Sequence, residues 1–228
     1  MKALLYKEFK LAMHPICYVF IALFPFMILI PSYPAAIGFI YILSCYPILF
    51  LGANKGQQSN DLLFSTLLPI RKKDIVLARI ITVVTMQVAY IILMSCLYPI
   101  ALSIQNGIQS ETPDFQYPGL PLSGFVSIIG IALIGFAIAD LIYFSIYYKH
   151  GKSIVMSTLL TILGFVVYLG IFTIGLPYVP GFQGYVDFLC NWGIGYQLIV
   201  LGAAIIVSFV LHFVVYKVAS KELEQVDF

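Results

Sequence analysis

Charge is what this chain has least of. Of its 228 residues, 12 are Lys or Arg and 10 are Asp or Glu, together 10%, against 61% hydrophobic. Soluble globular domains carry about 25% charged residues. A soluble fold of this size also leaves roughly a quarter to a third of its chain surface wet. The composition excludes a water-soluble globule, and lipid must be the main solvent. Histidine is scarce too: His14, His150 and His212 are scattered, with no HExxH to hold a catalytic metal. No G-x-S-x-G accompanies them, so neither a metal nor a serine intramembrane protease is encoded in a recognisable form. Cysteines 17, 45, 96 and 190 form no CxxC or Cys/His zinc spacing and read as small apolar packing residues. A net charge of +2, with no basic tail and no aromatic–basic interleaving, gives no nucleic-acid signal. "HGKS" (His150–Ser153) ends like a phosphate-binding loop, but Ile146 stands where its first glycine belongs. These absences leave a non-enzymatic membrane protein with no cofactor site of its own.

What is present is a series of apolar runs. Leu11 to Asn54 carries no charge and is interrupted by "PSYPAA" (Pro31–Ala36). Two prolines there break the helical ladder, giving expected spans at about 15–32 and 36–53. Ile80 to Ser110 is uncharged and carries most of a third span, about 74–104, before a polar loop, "QNGIQSETPDFQYPGLP". Further spans are expected at about 122–148, 153–176 and 194–216, each near the roughly 20 residues a bilayer requires. "LPYVPGFQGYVDFLCNWG" (Leu176–Gly193) is too apolar and aromatic for a wet loop and is expected to lie in the interface or dip partly into the membrane as an outer re-entrant segment. Pro25, Pro47 and Pro99 predict kinks, and Gly135 with Ala139 forms a small-xxx-small pair that admits a neighbouring helix.

Lys/Arg sorting sets the orientation. Lys2, Lys7 and Lys10 precede span one; Lys55, Arg71, Lys72, Lys73 and Arg79 lie between spans two and three; Lys149 and Lys152 lie between four and five; Lys217 and Lys221 follow six. All twelve fall on one side, while the opposite loops hold Glu111, Asp114 and Asp187. The expected fold is therefore all-α: one membrane domain over 1–228 with six spans and both termini cytoplasmic. Residues 1–14 form an expected interfacial helix, with Leu5, Phe9 and Ala12 on one face and Lys7, Lys10 and His14 on the other. No A-x-A site ends the first apolar run, so it reads as an uncleaved segment.

Asp140 is the one acid inside an apolar run, about 12 Å above the inner end of its helix by helical rise. A buried acid must be paired or wet. Arg79, starting span three from the same side, is the expected partner; a proton or substrate role is the alternative. His212 reads as a packing or interfacial residue.

The longest cytoplasmic piece, 54–73, contains a short apolar helix. Ser59, Asn60 and Asp61 supply capping types before "LLFSTLL", and Pro69 ends it. "NDLLFSTLLPIRKKDIVLAR" (Asn60–Arg79) and the opening "LLYKEFKL" resemble the small six-helix permeases of ATP-binding-cassette exporters, a type-two permease superfamily; the nearest resemblance is to permeases for phenol-soluble modulins or antimicrobial peptides. Leu68, Pro69, Ile70, Lys72, Asp74, Ile75, Val76 and Arg79 match the family's pattern, while Arg71 replaces its usual serine. The resemblance implies a coupling helix, Asp61, Leu62, Leu63, Phe64, Ser65, Leu67, Leu68 and Pro69, docked on separate ATPase subunits that hold ATP and Mg. It implies a second permease subunit, homo- or heterodimeric, and export of an amphiphilic substrate across a bacterial cell membrane. Arg71, Lys72, Lys73 and Arg79 would anchor the inner face near anionic headgroups. The alternative reading is a self-sufficient proton-coupled carrier or channel using Asp140.

Overall fold

The structure is a computed structural model and describes residues 2–12, 15–29, 70–111, 122–150, 154–171 and 193–225. Among these residues it is all-helical. Helix α1 (Lys2–Lys7) continues as a π-helical stretch, Glu8–Ala12. Helix α2 (Pro15–Leu23) starts on a proline, whose missing N–H costs nothing in a first turn. Pro25 then tightens the chain into a 3₁₀ segment, Phe24–Leu29. Four longer helices follow: α3 (Lys72–Glu111), α4 (Leu122–His150), α5 (Ile154–Gly170) and α6 (Ile194–Gln225). Three stretches, Lys72–Ile108, Phe125–Lys149 and Ile194–Gln225, are long and apolar enough to cross a membrane; Cys17–Phe26 and Met156–Gly170 are shorter apolar helices. The expected second span, the turn at Pro31–Ala36, the coupling loop before Ile70 and the re-entrant segment up to Trp192 lie outside the described residues.

Two helices outrun their expected ends. The polar loop expected from Gln105 begins later, because α3 continues to Glu111. No proline intervenes before Pro113, and the residue before a proline is the first one pushed out of the α region. Helix α6 runs nine residues past the expected end at 216. Its last turns keep an apolar stripe: Val215, Ala219 and Leu223, four residues apart, are all buried. At 40 residues α3 is about 60 Å long, twice the roughly 30 Å hydrocarbon core.

Helix α4 is the hub. Its widest interface is with α6, the next with α5. Gly130 brings α4 against the α6 backbone: an added Cβ would lie 3.3 Å from Ala204 Cβ and 3.7 Å from Leu201 Cα. Gly135 sits under the α5 rings, where an added Cβ would lie 2.9 Å from both Phe165 and Tyr168. This is the close approach expected of the Gly135/Ala139 pair. Tyr168 Oη donates to the Ile131 carbonyl at 2.8 Å, and Ser127 hydrogen-bonds Gln197 across the α4–α6 seam. Tyr90, Phe136, Tyr143, Phe144, Tyr148 and Phe165 fill the core. Cys17 is buried in that core, as a small packing residue would be.

The outward faces are apolar as well. Ile199, Ile206 and Phe209 of α6 are 69%, 67% and 75% exposed. In water such a face would drive aggregation; in a bilayer it is simply solvated. Four helix hydroxyls, those of Thr82, Thr85, Ser95 and Thr161, donate to carbonyls one turn back.

Candidate functional site: a lateral cleft over a buried acid

Two buried clusters with ionisable side chains stand out among the described residues, and the first corrects a sequence expectation. Arg79 does not pair with Asp140. Its Nε donates to Glu8 Oε2 at 3.1 Å and its Nη1 to Tyr147 Oη at 3.3 Å. The arginine and glutamate side chains are 3% and 2% exposed, so Arg79 faces protein rather than headgroups. The π-helical stretch delivers Glu8, while Leu4, one turn earlier, packs on Ile75 and Ala78 of α3. The buried stripe of the N-terminal helix thus runs through Leu4 and Glu8, with Leu5 and Phe9 half-buried beside it. Helical rise explains the exchange of partners. Arg79 and Gln87 are about 12 Å apart along α3, and Tyr147 and Asp140 about 10 Å apart along α4. With the helices antiparallel, Arg79 meets Tyr147's level and Gln87 meets Asp140's.

The second cluster surrounds Asp140, which is fully buried. Gln87 Nε2 donates to both its carboxylate oxygens, at 3.3 and 3.1 Å. His212 Nε2 lies 3.0 Å from Oδ2. His212, expected to be a packing or interfacial residue, is therefore Asp140's partner. Its Nδ1 lies 2.7 Å from the Ser208 carbonyl oxygen. A carbonyl can only accept, so Nδ1 carries a hydrogen. Nε2 then either donates to a carboxylate or accepts from a carboxylic acid. Both arrangements hold one proton between the two groups and leave the pair neutral overall, which minimises the cost of burial in lipid.

A cleft of about 1000 Å³ opens beside this cluster, walled by α3 and α6 and floored by Ile129 and Leu133 of α4. Its described walls are mostly aliphatic and aromatic; Gln87, Ser208 and His212 bring polar side chains to it near Asp140, with Thr85, Ser95 and Tyr216 elsewhere along it. Val88, Ile92, Ile205, Phe209 and Phe213 on its rim are each more than 40% exposed.

The other sequence-singled residues are distributed as follows. Lys73 Nζ pairs with Glu224 at 3.3 Å, both side chains about half exposed, which joins the start of α3 to the end of α6. Lys72 is half-buried and Arg71 exposed. The Arg71 carbonyl accepts from the Asp74 amide at 2.9 Å, and Asp74 sits in the first turn, where a negative charge suits the helix dipole. Asp61 to Pro69 lie outside the described residues. His212 was readable at a distance: it is five residues from Lys217 and Asp140 nine from Lys149, so both sit about 8–14 Å inside a basic helix end. Gln87 carried no comparable signal.

The described residues form a helical bundle with three helices long and apolar enough to cross a membrane and a cleft between two of them. The chain belongs to the ABC-2 family transporter proteins, whose family model matches residues 3–221. It is a multi-pass membrane permease of an ABC transporter, a transmembrane component that is not itself catalytic, and membership implies association with an ATP-binding-cassette ATPase. No curated protein and no solved structure matches it.

Proposed function

We propose that this permease works in an ATP-driven exporter of amphiphiles, amphipathic or antimicrobial peptides among them. The observation that carries this reading is the cleft between α3 and α6: mostly apolar, open at the side, with a few polar side chains along it. A molecule drawn from a bilayer needs such a lateral entrance, and an apolar wall to replace the acyl chains it leaves. The protein spans a bacterial cell membrane six times, with both termini cytoplasmic and a re-entrant segment between spans five and six. The Lys73–Glu224 and Glu8–Arg79 contacts support that arrangement, because they gather basic helix ends and the N-terminal helix together. A second permease subunit completes the path. ATP and Mg stay in the ATPase partner.

Energy enters through Asp61–Pro69, a short apolar helix suited to a groove on the ATPase. Leu63→Asp and Phe64→Asp test this directly. Each is expected to lower co-purifying ATPase at least tenfold. Wild-type assembly and substrate-stimulated hydrolysis with both changes in place would sink the coupling-helix assignment.

One observation favours a second reading. The Asp140–His212 pair holds a proton at a cleft wall, as a self-sufficient proton-coupled carrier requires. That reading predicts substrate movement by the purified chain alone, lost in Asp140→Asn; transport strictly dependent on an ATPase excludes it.

A further inference from the structure

The N-terminal helix has two faces of opposite character. One is held by protein: Leu4 is buried with Ile75 and Ala78 of α3, and Glu8 pairs with Arg79. The other carries Lys2, Tyr6 and Lys10, four residues apart and all exposed. Lys10 lies in the π-helical continuation and still meets Tyr6. Its Nζ donates to Tyr6 Oη at 2.6 Å and stands 5.1 Å from the ring centroid. Tyr6 is 60% exposed, an ordinary position for an aromatic ring at a membrane interface.

Charge on this face has one sign. Glu8 is the only acid before Asp61 in the sequence, and its side chain is turned to Arg79 and 2% exposed. The hydrogen bond is directional as well. Tyr6 Oη accepts from Lys10, so the phenol's own hydrogen is directed elsewhere, and the Lys10 ammonium keeps further hydrogens. An ammonium and a phenol hydroxyl side by side make a donor pair for a phosphate oxygen. Depth suits the same ligand. The contacts of the N-terminal helix on α3 fall between Lys72, where α3 starts, and Ile80, where its uncharged run begins. Lys72 to Arg79 is about 10 Å by helical rise, the order of thickness of a headgroup layer.

We propose that the exposed face of the N-terminal helix is a headgroup site for an anionic phospholipid. The Lys10 ammonium and the Tyr6 hydroxyl hold the phosphate, and Lys2, one turn earlier on the same stripe, adds attraction. The Glu8–Arg79 pair fixes this face at headgroup depth by tying the helix to α3. The site rests on the membrane-spanning fold and on neither the cleft nor the transported substrate.

The test uses the full chain in a neutral detergent, titrated with phosphatidylglycerol or phosphatidylcholine of matched acyl chains and read by native mass spectrometry. The first phosphatidylglycerol is expected to bind at least tenfold tighter than the first phosphatidylcholine (about 1.4 kcal/mol). A lysine near a membrane surface contributes roughly fivefold, so Lys2→Gln with Lys10→Gln should remove that preference. Both side chains are exposed, and the melting temperature without added lipid should stay at the wild-type value. Tyr6→Phe should weaken phosphatidylglycerol binding about threefold and leave phosphatidylcholine unchanged. Ala3→Glu, which sets an acid on the exposed side, should abolish the preference with both lysines in place. The charge-matched Lys217→Gln with Lys221→Gln, on the exposed side of α6, should keep it. Equal binding of the two lipids overturns the proposal, as does a preference that survives Lys2→Gln with Lys10→Gln. An equal loss in the α6 control overturns it in favour of bulk charge. Glycerol 3-phosphate competing as well as the lipid overturns it in favour of a soluble anion. Loss of a homodimer in Ala3→Glu overturns it by making this face a self-interface.

Discussion

Neutralising Glu8 should destabilise this protein more than any other single change to an N-terminal residue. The Glu8 and Arg79 side chains are 2% and 3% exposed and 3.1 Å apart. Removing one member of such a pair leaves a buried charge uncompensated and typically costs about 3–5 kcal/mol. The two halves are not equivalent. Arg79→Gln leaves Glu8 beside Lys7, whose Nζ lies 3.9 Å from Oε1. Glu8→Gln removes the guanidinium's 3.1 Å carboxylate contact, while the Tyr147 hydroxyl and ring, the latter 5.9 Å away, stay beside it. Glu8→Gln should therefore cost the upper part of the range and Arg79→Gln the lower. For a chain of this size roughly 2–4 °C accompany each kcal/mol, so Glu8→Gln should lower the melting temperature in detergent by about 10 °C or more. The double variant removes both charges of the pair and should melt above Glu8→Gln, giving a coupling of about 2 kcal/mol or more in a double-mutant cycle. A shift below about 2 °C for Glu8→Gln, or additive single effects, would refute the reasoning and place α1 loosely on the surface.

Two other sites give sharp expectations. Gly135→Ala inserts a Cβ at 2.9 Å from Phe165 and Tyr168; overpacking of this kind costs about 1–3 kcal/mol, read as a lower melting temperature that Phe165→Leu partly restores. The Lys73–Glu224 pair is about half exposed, so Lys73→Glu should cost less than about 1 kcal/mol, with an effect that shrinks in high salt and reverses when Glu224→Lys is added.

Much of the helical framework was legible because lipid imposes a simple rule. Uncharged runs closed by charged residues placed α4 nearly to both ends, and α3 and α6 to within two residues of their starts. The errors came where water replaced lipid as the solvent. Past Lys217 the apolar run stops, but the Val215–Ala219–Leu223 stripe keeps α6 helical against the core. The mispairing of Arg79 had a different origin. Both partners were visible as charges, yet their relative heights depend on how α3 and α4 are staggered, which neither segment's sequence records.

The sequence by itself determined the solvent of this protein, the existence and order of its long helices and its permease family, since hydropathy and local motif are properties of single segments. The tertiary structure alone decided the pairings: Glu8 with Arg79, Asp140 with Gln87 and His212, and the cleft those helices enclose. The physical reason is that a buried charge takes whichever partner stands at its own depth, and depth is set by the stagger of whole helices against one another.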